Sequence, residues 1–228
     1  MTTLSENRMT FTPGEYWTPE RIAVAAARHR EMRQSPNMIA VMDAIGQAAQ
    51  SEHDPASMAA ALSGVDPKGA VDGAIDRDAC LFRRGRTSDT GALQQLIVSG
   101  DLPPFFVEPF VEGFLVVEHE GEIIGCGGNE HFGDAAVIRS VVVHERARGL
   151  GLGIEIARLL IEDARASGAT DLYLFTLEAY EFWKRLGFVD LELSKWPQPT
   201  HEQWQYAFIV TYPEAASDVH RMWRPAAQ

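Results

Sequence analysis

Val143-His-Glu-Arg-Ala-Arg148-Gly149-Leu150-Gly151-Leu152-Gly153 joins an apolar run, Ala136–Val143, to an amphipathic one. Downstream, Ile154, Ile156, Leu159, Leu160 and Ala164 recur on one side of a helix expected from about Leu152 to Ser167. A strand, a glycine-rich turn and a helix N-terminus together make an anion site. Backbone N–H groups converge there, the helix dipole adds positive potential, and glycines let a phosphate approach the main chain. Arg146 and Arg148 add local positive charge. A Walker A loop would end in Gly-Lys-Ser/Thr, but Ile154 follows Gly153. In a dinucleotide fingerprint the third glycine would come one residue later, and an acidic residue would end the next strand. Here Asp171 lies at that strand's beginning.

Working outward, Gly113–His119 and Glu122–Gly128 flank the turn Glu120-Gly121, a hairpin signal. Cys80–Arg84 is strand-like, and Ser88-Asp89 opens a helix through Leu93 and Leu96 that stops at Gly100. Leu102–Phe106 is an aromatic, proline-bearing loop. After the glycine-rich turn and its helix come a strand at Asp171–Thr176, a short helix at Glu178–Leu186 and a strand at Phe188–Leu193. Thr200-x-x-Gln203 reads as a capping box for a helix to about Val210, and Asp218–Arg224 as a last strand. The order is a hairpin meander followed by two strand–helix–strand units, an α/β (α+β) class. Upstream, three cap-plus-proline starts (Thr18-Pro19, Ser35-Pro36, Asp54-Pro55) make the first third helical. Met38, Val41, Met42, Ile45, Ala48 and Ala49 follow the second start at helical spacing, and Asp66-Pro67-Lys68-Gly69 is a turn. The expected division is a helical extension over 1–78 and a catalytic domain over 79–228.

The 228 residues suit one catalytic-size domain plus roughly half of another. Hydrophobic residues at 46% and charged residues at 23% exclude a mostly disordered chain. A net charge of −12 argues against a broad grip on nucleic acid or anionic membrane, though not against a small anion held by local arginines. Cys80 and Cys126 show no metal-ligand or disulfide spacing, so two reduced thiols and no metal are expected. Met1–Arg8 lacks the apolar core of a signal peptide, and no stretch approaches the ~20 apolar residues of a bilayer span. The expected setting is cytoplasmic.

Arg148-x-x-Gly151-x-Gly153 resembles the acyl-CoA pyrophosphate loop of the GNAT superfamily of N-acetyltransferases. Ala179–Phe188, ending in Gly187-Phe188, resembles that family's closing helix and Gly-Phe turn, and the likeness covers roughly 80–224. Gly127–Glu130, Ile138–Val143 and Leu174–Thr176 are most similar to acetyltransferases encoded beside arsenic-resistance genes, with the acetyl-glutamate-forming amino-acid acetyltransferases next. The resemblance implies a mixed, mostly antiparallel sheet flanked by helices. It implies acetyl-CoA as cosubstrate, a small amino-acid-like amine as acceptor, and direct attack within a ternary complex. The strand before the loop should splay from Leu172–Thr176, so that the main chain of Val141, Val142 and Val143 binds the pantetheine arm and polarises the thioester. Arg148, Gly149, Leu150, Gly151, Leu152 and Gly153 would cradle the pyrophosphate, with Thr176 and Trp183 along the cofactor's path.

Two positions depart from the family pattern. Ala135 stands near its frequent glutamate and Trp183 where it often has an acid tyrosine. Glu130, with His131 beside it, is the nearest substitute base, and Tyr180 a substitute acid; water, or unassisted departure of the thiolate, is the alternative. Arg139 interrupts an apolar strand, and simple alternation puts it on the face of Val141 and Val143. A charge there needs a partner: either an acidic group of the acceptor or an internal salt bridge to Glu130. The missing acid and base also leave open a catalytically degenerate acyl-CoA sensor or scaffold. The extension is a lid over the acceptor site, a homodimer surface or a cover for a sheet edge, and the sequence does not choose among them.

Overall fold

The structure is a computed structural model that describes residues 8–50, 73–214 and 216–227. The Asp54-Pro55 helix start and the Asp66–Gly69 turn lie outside the described residues, as do the side chains of Met38, Ile45, Ala48 and Ala49. Thr18 caps α1 (Pro19–Arg33) by accepting from Arg21 N, and α2 (Pro36–Gln50) starts at the second proline. After β1 (Leu81–Arg84) come α3 (Thr90–Ser99) and the hairpin of β2 (Phe114–His119) with β3 (Glu122–Phe132). Next are β4 (Ala135–Val143), α4 (Leu152–Ala166), β5 (Asp171–Thr176) and α5 (Tyr180–Arg185). The chain closes with β6 (Val189–Asp190), α6 (Trp204–Thr211) and β7 (His220–Pro225).

The strands form one seven-stranded sheet in the order β1-β2-β3-β4-β5-β7-β6, antiparallel except where β4 pairs β5. Alternation along β2 divides the core between the two faces. Leu115 and Val117 join Ile156, Leu160 and Trp183 under α4 and α5, whereas Phe114 and Val116 join Leu93, Leu96 and Ile97 under α3. Three local expectations are corrected. The strand expected at Phe188–Leu193 shrinks to two residues, and β7 inserts between β5 and β6, so the second strand–helix–strand unit does not place its strands side by side. Gln203 is itself the cap of α6, accepting from Tyr206 N, while Thr200 Oγ1 donates to Pro197 O; no capping box forms.

The third correction matters most for the site. Cys126 pairs with Val142 and Gly128 with Arg139, so β4 carries one more residue than β3 between those pairs. The extra residue makes a bulge at Ser140, whose φ of 52° is left-handed and costs a serine roughly 1–2 kcal/mol. Parity reverses across the bulge. Arg139 does not share the face of Val141 and Val143: those two pack toward α4, while Arg139 lies over the rings of Phe114 and Trp204 on the opposite face.

The N-terminal segment packs directly on this sheet. Met9 bridges Phe82 in parallel at edge strand β1, and Thr10 N donates to Phe82 O at 3.0 Å. The β2–β3 register ends at Phe114↔Gly128, which leaves Asn129–Phe132 without a strand on that side. Trp17 fills this gap against His131, and His29 lies against Phe132. An uncovered β edge is a template for aggregation, and α1 removes it here.

Candidate active site

β4 pairs with β5 only from Ala135↔Asp171 to Ile138↔Leu174; from Arg139 onward the two strands part. His144 N donates to Ile124 O of β3 at 2.8 Å. Backbone direction alternates residue by residue, so the Val142 N–H also faces β3, and the N–H groups of Val141 and Val143 face the opening wedge. Three of the expected cofactor contacts, Val141, Val142 and Val143, therefore line the parting, but only the first and third turn a donor into it.

The glycine-rich turn sits at the mouth of the wedge. Gly149 and Gly151 have φ of 83° and 78°, left-handed values that glycine adopts without a Cβ penalty. Gly151 is the N-cap of α4, and no side chain caps that end, so its first N–H groups are available to an anion. Nothing lies within 4 Å of a Cβ placed on Gly149. These features fit a pyrophosphate: uncapped donors, a helix dipole and open space above the backbone. Arg148 and Arg146 are exposed beside the turn, Arg148 Nε donating to Val143 O at 3.4 Å; Leu152 is buried beneath the turn and Leu150 partly so. Gly153 faces only Val143 Cγ2, at 3.7 Å. Thr176 Oγ1 accepts from Ala179 N at 3.2 Å, ordering the start of α5.

Arg77 is a residue that sequence reasoning missed. From the segment before β1 it brings its guanidinium to 3.8 Å from a Cβ position on Gly151, and its Nη2 donates to Glu155 Oε2 at 2.7 Å. It reads as one linker arginine among others, and no local signal places it over the loop.

On the α3 face, Glu130 and Arg139 form a fully buried ion pair, Nη1 to Oε1 at 2.7 Å. Gln203 Nε2 donates to the other carboxylate oxygen at 3.2 Å, and Arg139 Nη2 donates to Phe105 O at 2.6 Å. His29 Nε2 faces Glu130 Oε2 at 3.7 Å. Of the two partners foreseen for Arg139, the internal one is present. Glu130 is 1% exposed near the end of β3. Gln203 and His29 were missed because they lie 73 residues after Glu130 and in a separate helix of the extension.

His131 does not join this cluster. Strand alternation turns it to the α4 side, where it is 0% exposed, and burial pushes its pKa down to about 4, with Asp163 opposing. An unfolded histidine titrates near 6.5. Between these values the unfolded chain binds the extra proton, so this contribution to stability is present above about 6.5 and is lost as pH falls toward about 4. His131→Leu is expected to flatten the fall in urea midpoint across that window; a variant that tracks the wild type would show that another group sets the acid limit.

Trp183, which stands at the family's acid position, and Tyr180, the substitute acid, are both engaged elsewhere. Trp183 is 5% exposed in the core against Phe188, and Tyr180 donates to Asp190 Oδ2 at 2.7 Å. Tyr180→Phe is therefore expected to leave kcat within about twofold, measured by steady-state thiol release. A hundredfold loss would restore Tyr180 as the acid. Among the described residues no group of three or more His, Cys, Asp or Glu is arranged to hold a metal ion, and no helix is long and apolar enough to cross a membrane.

The profile of the Acetyltransferase (GNAT) family matches residues 86–188. The chain is 32% identical over 124 residues to an amino-acid acetyltransferase of Mycobacterium tuberculosis, covering 49% of this chain and 70% of that protein. It is 26% identical over 141 residues to an amino-acid acetyltransferase of Shewanella oneidensis, covering 58% of this chain and only 32% of that one. The N-acetylglutamate synthase of Neisseria gonorrhoeae, solved with coenzyme A and N-acetyl-glutamate, shares the fold with a TM-score of 0.56 at 19% identity, over 69% of this chain and 37% of that one. A Mycobacterium tuberculosis protein solved in complex with CoA and NLQ also has a TM-score of 0.56, at 24% identity, over 64% of this chain and 98% of that one.

Proposed function

The chain belongs to the GNAT acetyltransferase family, and from that premise we propose that it transfers the acetyl group of acetyl-CoA to the amine of a small amino-acid-like acceptor. The observation that carries this reading is the parting of β4 from β5 after Ile138, beside an uncapped, glycine-lined helix N-terminus. The turn at Arg148–Gly153 holds the pyrophosphate. The N–H groups of Val141 and Val143 bind the pantetheine and the thioester oxygen, where negative charge grows during attack. Thr176 and Trp183 act indirectly, the first by accepting from Ala179 N ahead of α5 and the second by anchoring α5 to the core.

Acceptor recognition falls to the buried pair. An amino acid is a zwitterion, so its carboxylate matches Arg139 and its ammonium matches Glu130. Exchanging one internal ion pair for two with the acceptor leaves no buried charge unpaired. The names of the curated relatives, amino-acid acetyltransferases, support the same substrate class. Acceptors bearing arsenic or herbicide-like groups rest on the sequence likeness alone and belong on the same test panel, as do a cytoplasmic setting and a homodimer among the expectations still to be measured.

The test is release of free CoA from acetyl-CoA with a panel of α-amino acids and simple amines, alongside a thermal shift with acetyl-CoA. Turnover restricted to acceptors with a carboxylate supports the reading. Binding of acetyl-CoA with no turnover on any amine would favour the sensor or scaffold, a reading that draws on Ala135, Trp183 and the fully engaged Glu130.

A further inference from the structure

His29 is a buried titratable group that the reaction outlined above leaves unused. It lies in α1, outside the segment that matches the family, and is 1% exposed. Its ring stacks on Phe110 at 4.3 Å and lies 4.9 Å from Phe132. Nε2 is buried without a hydrogen-bond partner, facing Glu130 Oε2 at 3.7 Å. An orphaned buried nitrogen costs roughly 1–3 kcal/mol. That cost is offset if a third group binds there. One nitrogen can lie about 2.9 Å from each of two acceptor atoms that are 3.7 Å apart, a spacing that suits an ammonium.

We infer that His29, supplied by the N-terminal extension, is the base of the transfer: its Nε2 takes the proton from the acceptor ammonium that Glu130 holds. The inference rests on the acceptor reading of the Glu130–Arg139 cluster given above. Geometry places Nε2 beside Glu130 Oε2, where the tautomer protonated at Nδ1 offers a lone pair, and burial supplies the protonation state. Burial is the largest influence and lowers the His29 pKa; Glu130 on β3 and Glu202 before α6 oppose it, while Arg139 on β4 and Arg28 on α1 act with it. The ring is therefore neutral and able to accept at pH 7. One proton passes from the ammonium to His29 and on to solvent. The free amine attacks the thioester carbonyl, a C–N bond forms and the C–S bond breaks. The thiolate leaves with the electron pair and takes the second proton from the same nitrogen. Glu130 and His29 are closed from solvent under α1 and the Gln203 segment, so the acceptor enters when one of these covering elements moves.

The experiment is the pH profile of kcat/KM for an accepted amine, in wild type and in His29→Phe, which keeps the stack on Phe110. With His29 as base, log kcat/KM of the wild type rises with unit slope up to a pKa below the ordinary histidine value of about 6.5. It then stays level until the acceptor amine itself ionises. His29→Phe is expected to lower kcat by about 100-fold or more at pH 7 and to rise with unit slope through that level range, as the free amine becomes available from solution. His29→Gln serves if His29→Phe does not bind acetyl-CoA in a thermal shift. A wild-type profile with unit slope all the way to the amine pKa overturns the inference, as does a variant with unchanged kcat and profile. Turnover of no amine at all removes the acetyl-transfer reading and this inference with it, whereas amine turnover insensitive to His29 removes this inference alone.

Discussion

Arg139→Met is expected to lower the folding free energy by about 3–5 kcal/mol, read as a shift in the midpoint of chemical denaturation. The Arg139 side chain is 1% exposed; it neutralises Glu130, satisfies Phe105 O and lies over the rings of Phe114 and Trp204. Methionine fills much of the volume but leaves a buried carboxylate with Gln203 as its one donor among the described residues. The companion variant distinguishes charge from packing. Adding Glu130→Met removes the stranded charge, so the double variant is expected to regain most of the loss. A single variant within about 1 kcal/mol of wild type would mean that water reaches Glu130 as soon as the arginine is gone. The substrate role is tested separately with Arg139→Lys, which keeps the charge but not the two-pronged donor geometry. Acceptor KM is expected to rise at least about tenfold, and an unchanged KM would leave Arg139 a purely structural residue.

Gly149→Val is expected to weaken acetyl-CoA binding by about 100-fold, measured by calorimetry, with far less effect on stability. The backbone at Gly149 has φ of 83°, so any side chain costs roughly 1–2 kcal/mol. A chain of this size then loses only about 2–8 °C in Tm. Nothing within 4 Å opposes the new Cβ, so the fold itself tolerates it. The valine methyls would occupy the approach to the α4 N-terminus, displacing two or so charge-assisted hydrogen bonds worth about 1.5–3 kcal/mol each. Gly149→Ala carries the same strain with less bulk and should fall between the two. Equal dissociation constants for all three would mean that the pyrophosphate does not pass over Gly149.

The turn proposed to hold the cofactor was legible because it is local. Arg148–Gly153 encodes its own conformation: Gly149 and Gly151 where φ is left-handed, and an amphipathic helix immediately after. Strand and helix positions from Gly113 to Thr176 follow from short-range hydrophobic period for the same reason. The buried cluster proposed for the acceptor was only partly legible. Glu130 and Arg139 stood out as charges in apolar strands, and their pairing was one of two foreseen outcomes. Their partners were not visible, since His29 and Gln203 reach them only through tertiary packing.

Ser140 marks the boundary between the two kinds of information. Read as an unbroken strand, Ile138–Val143 puts Arg139 with Val141 and Val143, and that alternation is sound for any regular strand. A bulge shifts the count by one, and nothing in Arg139-Ser140-Val141 announces it, because serine is an uncommon residue at positive φ. The sequence by itself determined the glycine-rich turn, the strand that leads into it and the family these imply. The tertiary structure decided which face Arg139 takes, that the wedge opens after Ile138, and that a helix from outside the family match closes over Glu130. Turn geometry is set by the φ preferences of a few adjacent residues. A bulge and a buried ion pair are settled only when distant segments compete to exclude water from the same charges.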